Sequence, residues 1–444
     1  MSLEQDILAR VKPTPGEESR IKETVSKLEA RVMGTDAAKG HDIQLCLVGS
    51  IAKDTYLKDP DADIFLLFDP KVPRETLEKV GLAIGREAID GREHYAEHPY
   101  IKGEFMGLRA DIVPAYRIID SSQKMTAVDR TPFHTEYVKA NLATELRDDV
   151  RLLKALMKGI GIYGADAKTI GFSGYLCELL IIRFGGFCKL LENAARWRTG
   201  MRLELGTRTG RAYDDPITFI DPVDPNRNVA SAVSADSFAL FIAASRAYIE
   251  SPRQEFYFPN PIKALKVGGI KKALAERGGI ISLTIPRPDL IDDILFPQMR
   301  KFERNAVQHL ESGGFAVMDS YSHALEDSLV IILELQSAEL PAAMLHRGPP
   351  VSVAENSENF LAKWRTSPDA LSPPFIKGGC WQVFARRKHT SAAEHLRHGL
   401  DSIDAGKDLN RLRDSARIHE KAAGEPGILQ ALSAYLDRRM PWDR

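Results

Sequence analysis

Ile21, Val25, Leu28 and Val32 recur at three- and four-residue intervals, the spacing of one buried face of a helix. Thr14, Pro15 and Glu17 stand just before them. They form a capping box with proline at the first helical position, so residues 15–34 read as an amphipathic helix. The period then shortens. Residues 43–48 (IQLCLV) read as a strand stopped by Gly49. Residues 63–68 (DIFLLF) read as a second strand, apolar enough to be covered on both faces. A helix is predicted over 73–88. Residues 99–104 and 108–114 (PYIKGE, LRADIVP) read as a hairpin turning at Met106-Gly107. The result is an α/β or α+β module ending near residue 140.

The following pattern is helical. Leu142, Leu146, Val150, Leu153 and Met157 mark an apolar stripe. Ser173 caps GYLCELLIIRFGGFCKLLENAARW, read as one helix, apolar nearly all round and central to a bundle. FIDPVDPNRNVA is a loop, and 236–249 is a further helix. After SPRQEFYFPNPIK the pattern changes again. A helix or kinked pair spans 288–312 with Pro297 as the break. Strands follow at 315–321 and 329–335. Then come a proline-rich turn, a helix near 356–365, a strand at 380–385 and terminal helices. Strands alternating with helices suggest an α/β sandwich, so the whole chain reads as a multidomain α+β protein.

The length of 444 residues suggests two to four domains. Hydrophobic content of 44% and charged content of 27% are those of a folded protein. The cysteines, Cys46, Cys177, Cys188 and Cys380, form no CxxC pair, which argues against a zinc or redox motif. The N-terminus carries no basic-then-apolar leader and no uncharged run is long enough to cross a bilayer. A cytoplasmic protein is expected. With 60 basic and 61 acidic residues, a polyanionic partner is not announced by net charge. It would have to be bound by local patches.

Chemistry concentrates in CLVGSIAKDTYLKDPDADIFLLF, residues 46–68. Side chains two apart on a strand share a face, so Asp61 and Asp63 project together while Ala62 points away. Two carboxylates that close repel each other. A hard divalent cation offsets that repulsion, and Mg²⁺ binds through a few carboxylates and substrate phosphates. Asp111, flanked by apolar residues in LRADIVP, is the third carboxylate, brought near if adjacent antiparallel strands carry it. Gly49-Ser50 closes the preceding strand. Backbone N–H groups and a serine hydroxyl at such a turn suit a phosphate. Together these features read as a two-metal site for in-line attack of a hydroxyl on an α-phosphate. Taken alone, Asp61 also reads as a turn residue and Asp63 as a strand-edge charge.

The joint pattern resembles the DNA polymerase beta nucleotidyltransferase superfamily. GSIAKDTYL, DADIFLLF, HPYIKGEF, DRTPFHTEYV, RLLKALMKGIGIYG, GFSGYLCELLI and DPVDPNRNVA narrow it. Together they are similar to the archaeal-type (class I) CCA-adding tRNA nucleotidyltransferases, in order from about residue 40 to 250 and more loosely beyond. The resemblance implies template-independent building of the tRNA 3′ CCA from CTP and ATP with two Mg²⁺ ions, and a homodimer. It implies a catalytic head (1–140), a helical neck (141–256) and an α/β body and tail (257–444) that bind the acceptor stem and T arm of tRNA. It makes Asp61, Asp63 and Asp111 the catalytic, metal-binding carboxylates. It assigns Gly49, Ser50, Lys53, Thr131, His134, Lys154, Tyr163 and Arg227 to the nucleotide. Lys53 stands where many relatives have arginine, so the charge is kept and the bidentate fork lost.

Four of these also have a plainer reading. His134 fits a packed or capping histidine, Lys154 a solvated helical lysine, Tyr163 a core aromatic and Arg227 a surface charge. Lys271 and Lys272, within KALKVGGIKKALAERGG, and Arg386, Arg387 and Lys388, within FARRKHT, could follow an RNA backbone or simply form solvated basic faces. Three other functions remain open at this point: a poly(A) polymerase, a non-catalytic RNA-binding protein on the same fold, and a small-molecule nucleotidyltransferase.

Overall fold

The computed structural model describes residues 2–95, 99–206, 210–420 and 424–444. His98, in one of the words carrying the resemblance, lies outside them. The chain folds as two compact units, Met1–Pro261 with Arg439–Arg444, and Ile262–Arg438.

In the first unit, α1 (Leu3–Val11) starts on a capping box of Ser2 and Gln5. No helix was expected there. α2 (Pro15–Met33) starts on the predicted Thr14–Glu17 box. Then follow β1 (Ile43–Val48), the short α3 (Gly49–Lys53), β2 (Asp61–Phe68) and α4 (Arg74–Ala88). β3 (Asp90–Tyr95), β4 (Pro99–Phe105) and β5 (Leu108–Tyr116) complete a sheet of order β1-β2-β5-β4-β3. Met106 and Gly107 turn the β4–β5 hairpin with φ of 52° and 80°, the positive pair of a tight hairpin turn. Ile64, Leu66 and Phe68 face the side of the sheet packed with Leu28, Leu77 and Ile84. Phe65 and Leu67 meet Val48, Val113 and Ala115 on the other. β2 is therefore covered on both faces, as its apolar run predicts.

One expectation about this sheet is corrected. β2 and β5 run parallel, with Asp63 directly opposite Asp111. The connection passes through α4, the unexpected β3 and β4, and this crossover returns the chain in the same direction.

The rest of the unit is α5 (Thr131–Asn141), α6 (Arg147–Gly159), α7 (Gly174–Phe184), α8 (Phe187–Ala194), the strand pair β6 (Met201–Leu203) and β7 (Ile217–Phe219), and α9 (Ala235–Glu250). The predicted stripe from 142 is interrupted, because a 3₁₀ turn at Thr144–Leu146 precedes α6. Ser173 caps α7 as expected, accepting from the Leu176 N–H. The single long helix predicted after it is two helices. Gly185 and Gly186, at φ of 70° and 135°, end α7 and start α8 in a new direction.

The second unit contains α10 (Val267–Leu274), β8 (Gly279–Pro286), α11 (Asp292–Ser312), β9 (Val317–Ala324), β10 (Ser328–Leu335), β11 (Ala343–Pro350), α12 (Ala354–Thr366), β12 (Phe375–Lys377), β13 (Cys380–Arg386), α13 (Ala392–Gly399), β14 (Arg417–His419) and α14 (Pro426–Leu436). A sheet of order β14-β8-β10-β9 has helices on both faces. α11 brings Leu295 and Phe302 to one face and α14 brings Leu432 and Tyr435 to the other. α12 packs on a second sheet, β11-β13-β12. Two readings change. α11 runs unbroken through Pro297, which sits in its second turn, where only one early hydrogen bond is lost. The proline-rich turn is instead β11, an edge strand, where Pro349 and Pro350 need not donate to a ladder.

Candidate active site

β1 ends at Val48, which pairs with Asp63 across the sheet. Gly49 then turns at φ +70°, and a side-chain carbon there would fall 1.8 Å from Oδ2 of Asp63. The Gly-Ser turn and the carboxylate are thus one construction. Asp61 and Asp63 share the outer end of β2, and Asp111 lies opposite Asp63 on β5. The Lys102 ammonium on β4 lies 3.2 Å from Asp111 and 3.9 Å from Asp61. Arg109 donates to Asp61.

Three carboxylates share these two cations, and the balance is incomplete. Burial, with the Asp111 and Asp61 charges, outweighs Lys53 and Lys102 and pushes the Asp63 carboxyl up to about 7. Burial also raises Asp111, against the pull of Lys102. Oδ1 of Asp111 is buried and faces the Lys102 ammonium at 3.2 Å outside hydrogen-bond geometry. As paired with Lys102 and Arg109, the three carboxylates do not bring one oxygen each within 4.8 Å of one another. An all-oxygen donor set with surplus negative charge fits a hard divalent cation.

Beside the carboxylates lies a cavity of about 770 Å³. All eight residues assigned above to the nucleotide line it, with Asp61 and Asp63; Asp111 lies outside its lining. Lys158, one turn after Lys154 on α6, also lines it and was not foreseen. Burial lowers its pKa, and its ammonium lies 5.4 Å from the centre of the Tyr163 ring.

Two buried acids organise the cavity wall, and neither was foreseen. Glu178 on α7 is fully buried and accepts from Lys53, from Lys154 at 3.0 Å and from the Thr55 hydroxyl at 2.6 Å. Burial alone would raise its carboxyl, but the Lys154 and Lys53 ammoniums and their hydrogen bonds take it down to about 2. Lys154 is therefore not a solvated lysine. A lone acid in the apolar GYLCELLIIRF was the available signal. The second acid is Asp221. Its Oδ2 lies 2.9 Å from Nε2 of His134 and 3.0 Å from a guanidinium nitrogen of Arg227. Its Oδ1 accepts from the Tyr175 hydroxyl at 3.2 Å. Burial opposes its ionisation, but His134, the Val223 N–H and Arg227 hold it well below the usual carboxylate range. The His134 ring stacks on Tyr175, centroids 4.1 Å apart, and burial lowers its pKa. Asp221 sits in a loop rich in Asp, Asn and Pro, where nothing in the pattern distinguishes it from its neighbours.

The basic residues proposed for RNA differ in their freedom. Lys271, Lys272, Arg386 and Lys388 are exposed. Arg387 is partly buried and donates to the Gly313 carbonyl at 2.7 Å, packing against Gly314 where a side-chain carbon would meet it at 2.8 Å. Arg277 is likewise bound to the Glu334 carboxylate.

A mixed sheet that sets a Gly-Ser turn against a pair of strand-end aspartates defines a nucleotidyltransferase, and the family described as nucleotidyltransferase domain matches residues 34–134. The family tRNA nucleotidyltransferase, second domain, matches 148–258, and the family CCA-adding enzyme, C-terminal domain, matches 277–420. The chain is 38% identical to a CCA-adding enzyme of Methanoregula boonei, over 99% of this chain and 96% of that one. It is 36% identical to CCA-adding enzymes of Thermoplasma acidophilum, over 93% of this chain and 94% of that one, and of Methanothermobacter thermautotrophicus, over 98% of each. The chain belongs to the CCA-adding enzyme family.

Proposed function

We propose that this protein adds CCA to the 3′ end of tRNA without a nucleic-acid template, using CTP and ATP and releasing pyrophosphate. The observation that carries this reading is the meeting of Asp61, Asp63 and the eight assigned residues on one cavity. Asp61, Asp63 and Asp111 would hold two Mg²⁺ ions. Such ions, when bound, activate the attacking 3′ hydroxyl and neutralise charge on the α-phosphate and the leaving pyrophosphate.

The chain's own groups do the rest. Ser50 and the Gly49 turn grip phosphate oxygens. Lys53 and Lys154 stand along the triphosphate; Glu178 cancels one of their two charges and fixes both ammoniums in direction. Thr131 and Tyr163 supply hydroxyls to the ribose and phosphates. Arg227, steered by Asp221, presents guanidinium donors to the edge of the incoming base, with His134 held beside it. Lys271, Lys272, Arg386 and Lys388 would contact tRNA phosphates, with shape outweighing base reading. Arg387 is left out, because its guanidinium is bound to Gly313.

The same reading divides the chain into a head (1–140), a neck (141–256) and a body with tail (257–444), working as a cytoplasmic homodimer on the acceptor stem and T arm. Among the described residues no helix is long and apolar enough to cross a membrane.

The test is extension of a tRNA lacking its terminal CCA. Two C residues with CTP, and one A once ATP is added, are expected. Long A tails would make the protein a poly(A) polymerase.

A further inference from the structure

The second unit carries a histidine cluster, none of whose members lines the nucleotide cavity. His309, His389, His395 and His398 stack in pairs: His309 with His395, centroids 4.4 Å apart, and His389 with His398, centroids 4.6 Å apart. The two pairs are chemically unlike. Nε2 of His309 is 3.2 Å from the His395 carbonyl, and Nε2 of His395 is 3.1 Å from the His309 carbonyl. Each of these rings uses a nitrogen to lock α11 to α13. His389 makes no such bond. Its side chain is 9% exposed, and its Nδ1 is buried without a hydrogen-bond partner. That nitrogen points toward Oε1 of Glu394, which at 3.6 Å is beyond hydrogen-bond reach. Glu394 and His398 are four residues apart on α13, so they share one face of the helix.

We propose that His389, Glu394 and His398 form a three-ligand site for a d-block divalent cation of the zinc class. One ligand atom from each residue lies within 4.8 Å of the other two. Two imidazoles and a carboxylate suit zinc, cobalt or nickel rather than magnesium, which prefers oxygen alone. Three protein ligands leave a coordination position for water. The anchor is preorganised. The Leu340 N–H donates to the Thr390 carbonyl and the Ala392 N–H to the Ala338 carbonyl, both at 2.9 Å. His389 is thereby fixed just before α13. Glu394 and His398 are exposed, so a small rotation of each closes the shell on the fixed nitrogen. The cation would clamp the β13–α13 connection to α13. This donor set is distinct from the all-oxygen centre at Asp63, and the two select different metals.

The test is Co²⁺ titration of the full-length protein, with Mg²⁺ in excess to occupy the carboxylates. Wild type, His398→Ala and Glu394→Gln are compared, and circular dichroism checks the fold of each. The two substituted side chains are exposed, so the fold is expected to persist. Wild type should bind one equivalent more than His398→Ala and show the strong visible bands of low-coordinate cobalt. Those bands should vanish in His398→Ala and weaken in Glu394→Gln, and added Zn²⁺ should displace them. Equal stoichiometry and identical spectra in all three proteins would overturn the proposal.

Discussion

Gly49 and Asp63 touch at a point where only hydrogen fits: a methyl carbon on Gly49 would lie 1.8 Å from the Asp63 carboxylate. The turn that would grip phosphate and the carboxylate that would hold metal therefore cannot move independently. Gly49 is also at φ +70°, where alanine is strained. Gly49→Ala should lower single-turnover nucleotide addition by about 100-fold, the scale of an ångström misplacement at a reacting centre. Binding of tRNA should stay within about twofold. A variant close to wild type in rate would break the link between turn and carboxylate.

The Asp63 carboxyl, raised to about 7, gives a pH signature with a definite sign. The folded chain holds this proton more tightly than the unfolded chain. Ionising it as pH rises from the ordinary aspartate range to about 7 therefore lowers stability. In EDTA, Asp63→Asn should gain on wild type in denaturant unfolding as pH rises across that window. Below pH 7 a cation must also displace the proton, so metal affinity should fall by up to about tenfold per pH unit. A difference in stability independent of pH would contradict the assignment.

Glu178 is the only carboxylate bonded to Lys53 and Lys154 among the described residues. Glu178→Gln leaves two buried ammoniums facing an amide. Unfolding free energy should drop by about 3–5 kcal/mol, the cost of breaking a buried ion pair. The depressed carboxyl, at about 2, contributes above the ordinary glutamate range and is lost only in acid. The deficit should therefore be constant from pH 5 to 8. A loss below about 1 kcal/mol would mean that the lysines find other partners.

Arg386 and Arg387 should separate by phenotype although they are adjacent. Arg386→Ala should weaken tRNA binding and reduce its salt slope by about one, as for a lost phosphate contact. Arg387→Ala should lower the Tm with the salt slope unchanged, because its guanidinium serves the Gly313 carbonyl. Identical salt slopes for Arg386→Ala and wild type would move the RNA path elsewhere.

Strand alternation and turn chemistry made Asp61, Asp63 and Gly49 legible in the chain, because both are local rules. The direction of β5 was not legible. It depends on β3, a polar segment whose strand character comes from pairing with β4; a side-chain carbon on Gly103 would meet the Asp90 carbonyl at 2.2 Å. Such close backbone approach leaves no periodic trace. Glu178 was within reach as a lone acid on an apolar helix. Asp221 was not, since its role is set by His134, 87 positions away. β11 was missed because its prolines read as a turn, although an edge strand tolerates them.

The three strand-end carboxylates are proposed as the transfer centre of a CCA-adding enzyme. This assignment is tested most directly by single-turnover extension of tRNA lacking CCA, with wild type and Asp111→Ala side by side and tRNA affinity measured on the same samples. Wild type should add two C residues and then A, while Asp111→Ala adds none and keeps tRNA affinity within about twofold, because a metal ligand has gone and no phosphate contact with it. Extension by Asp111→Ala at a comparable rate, or a parallel collapse of tRNA affinity, would contradict the account.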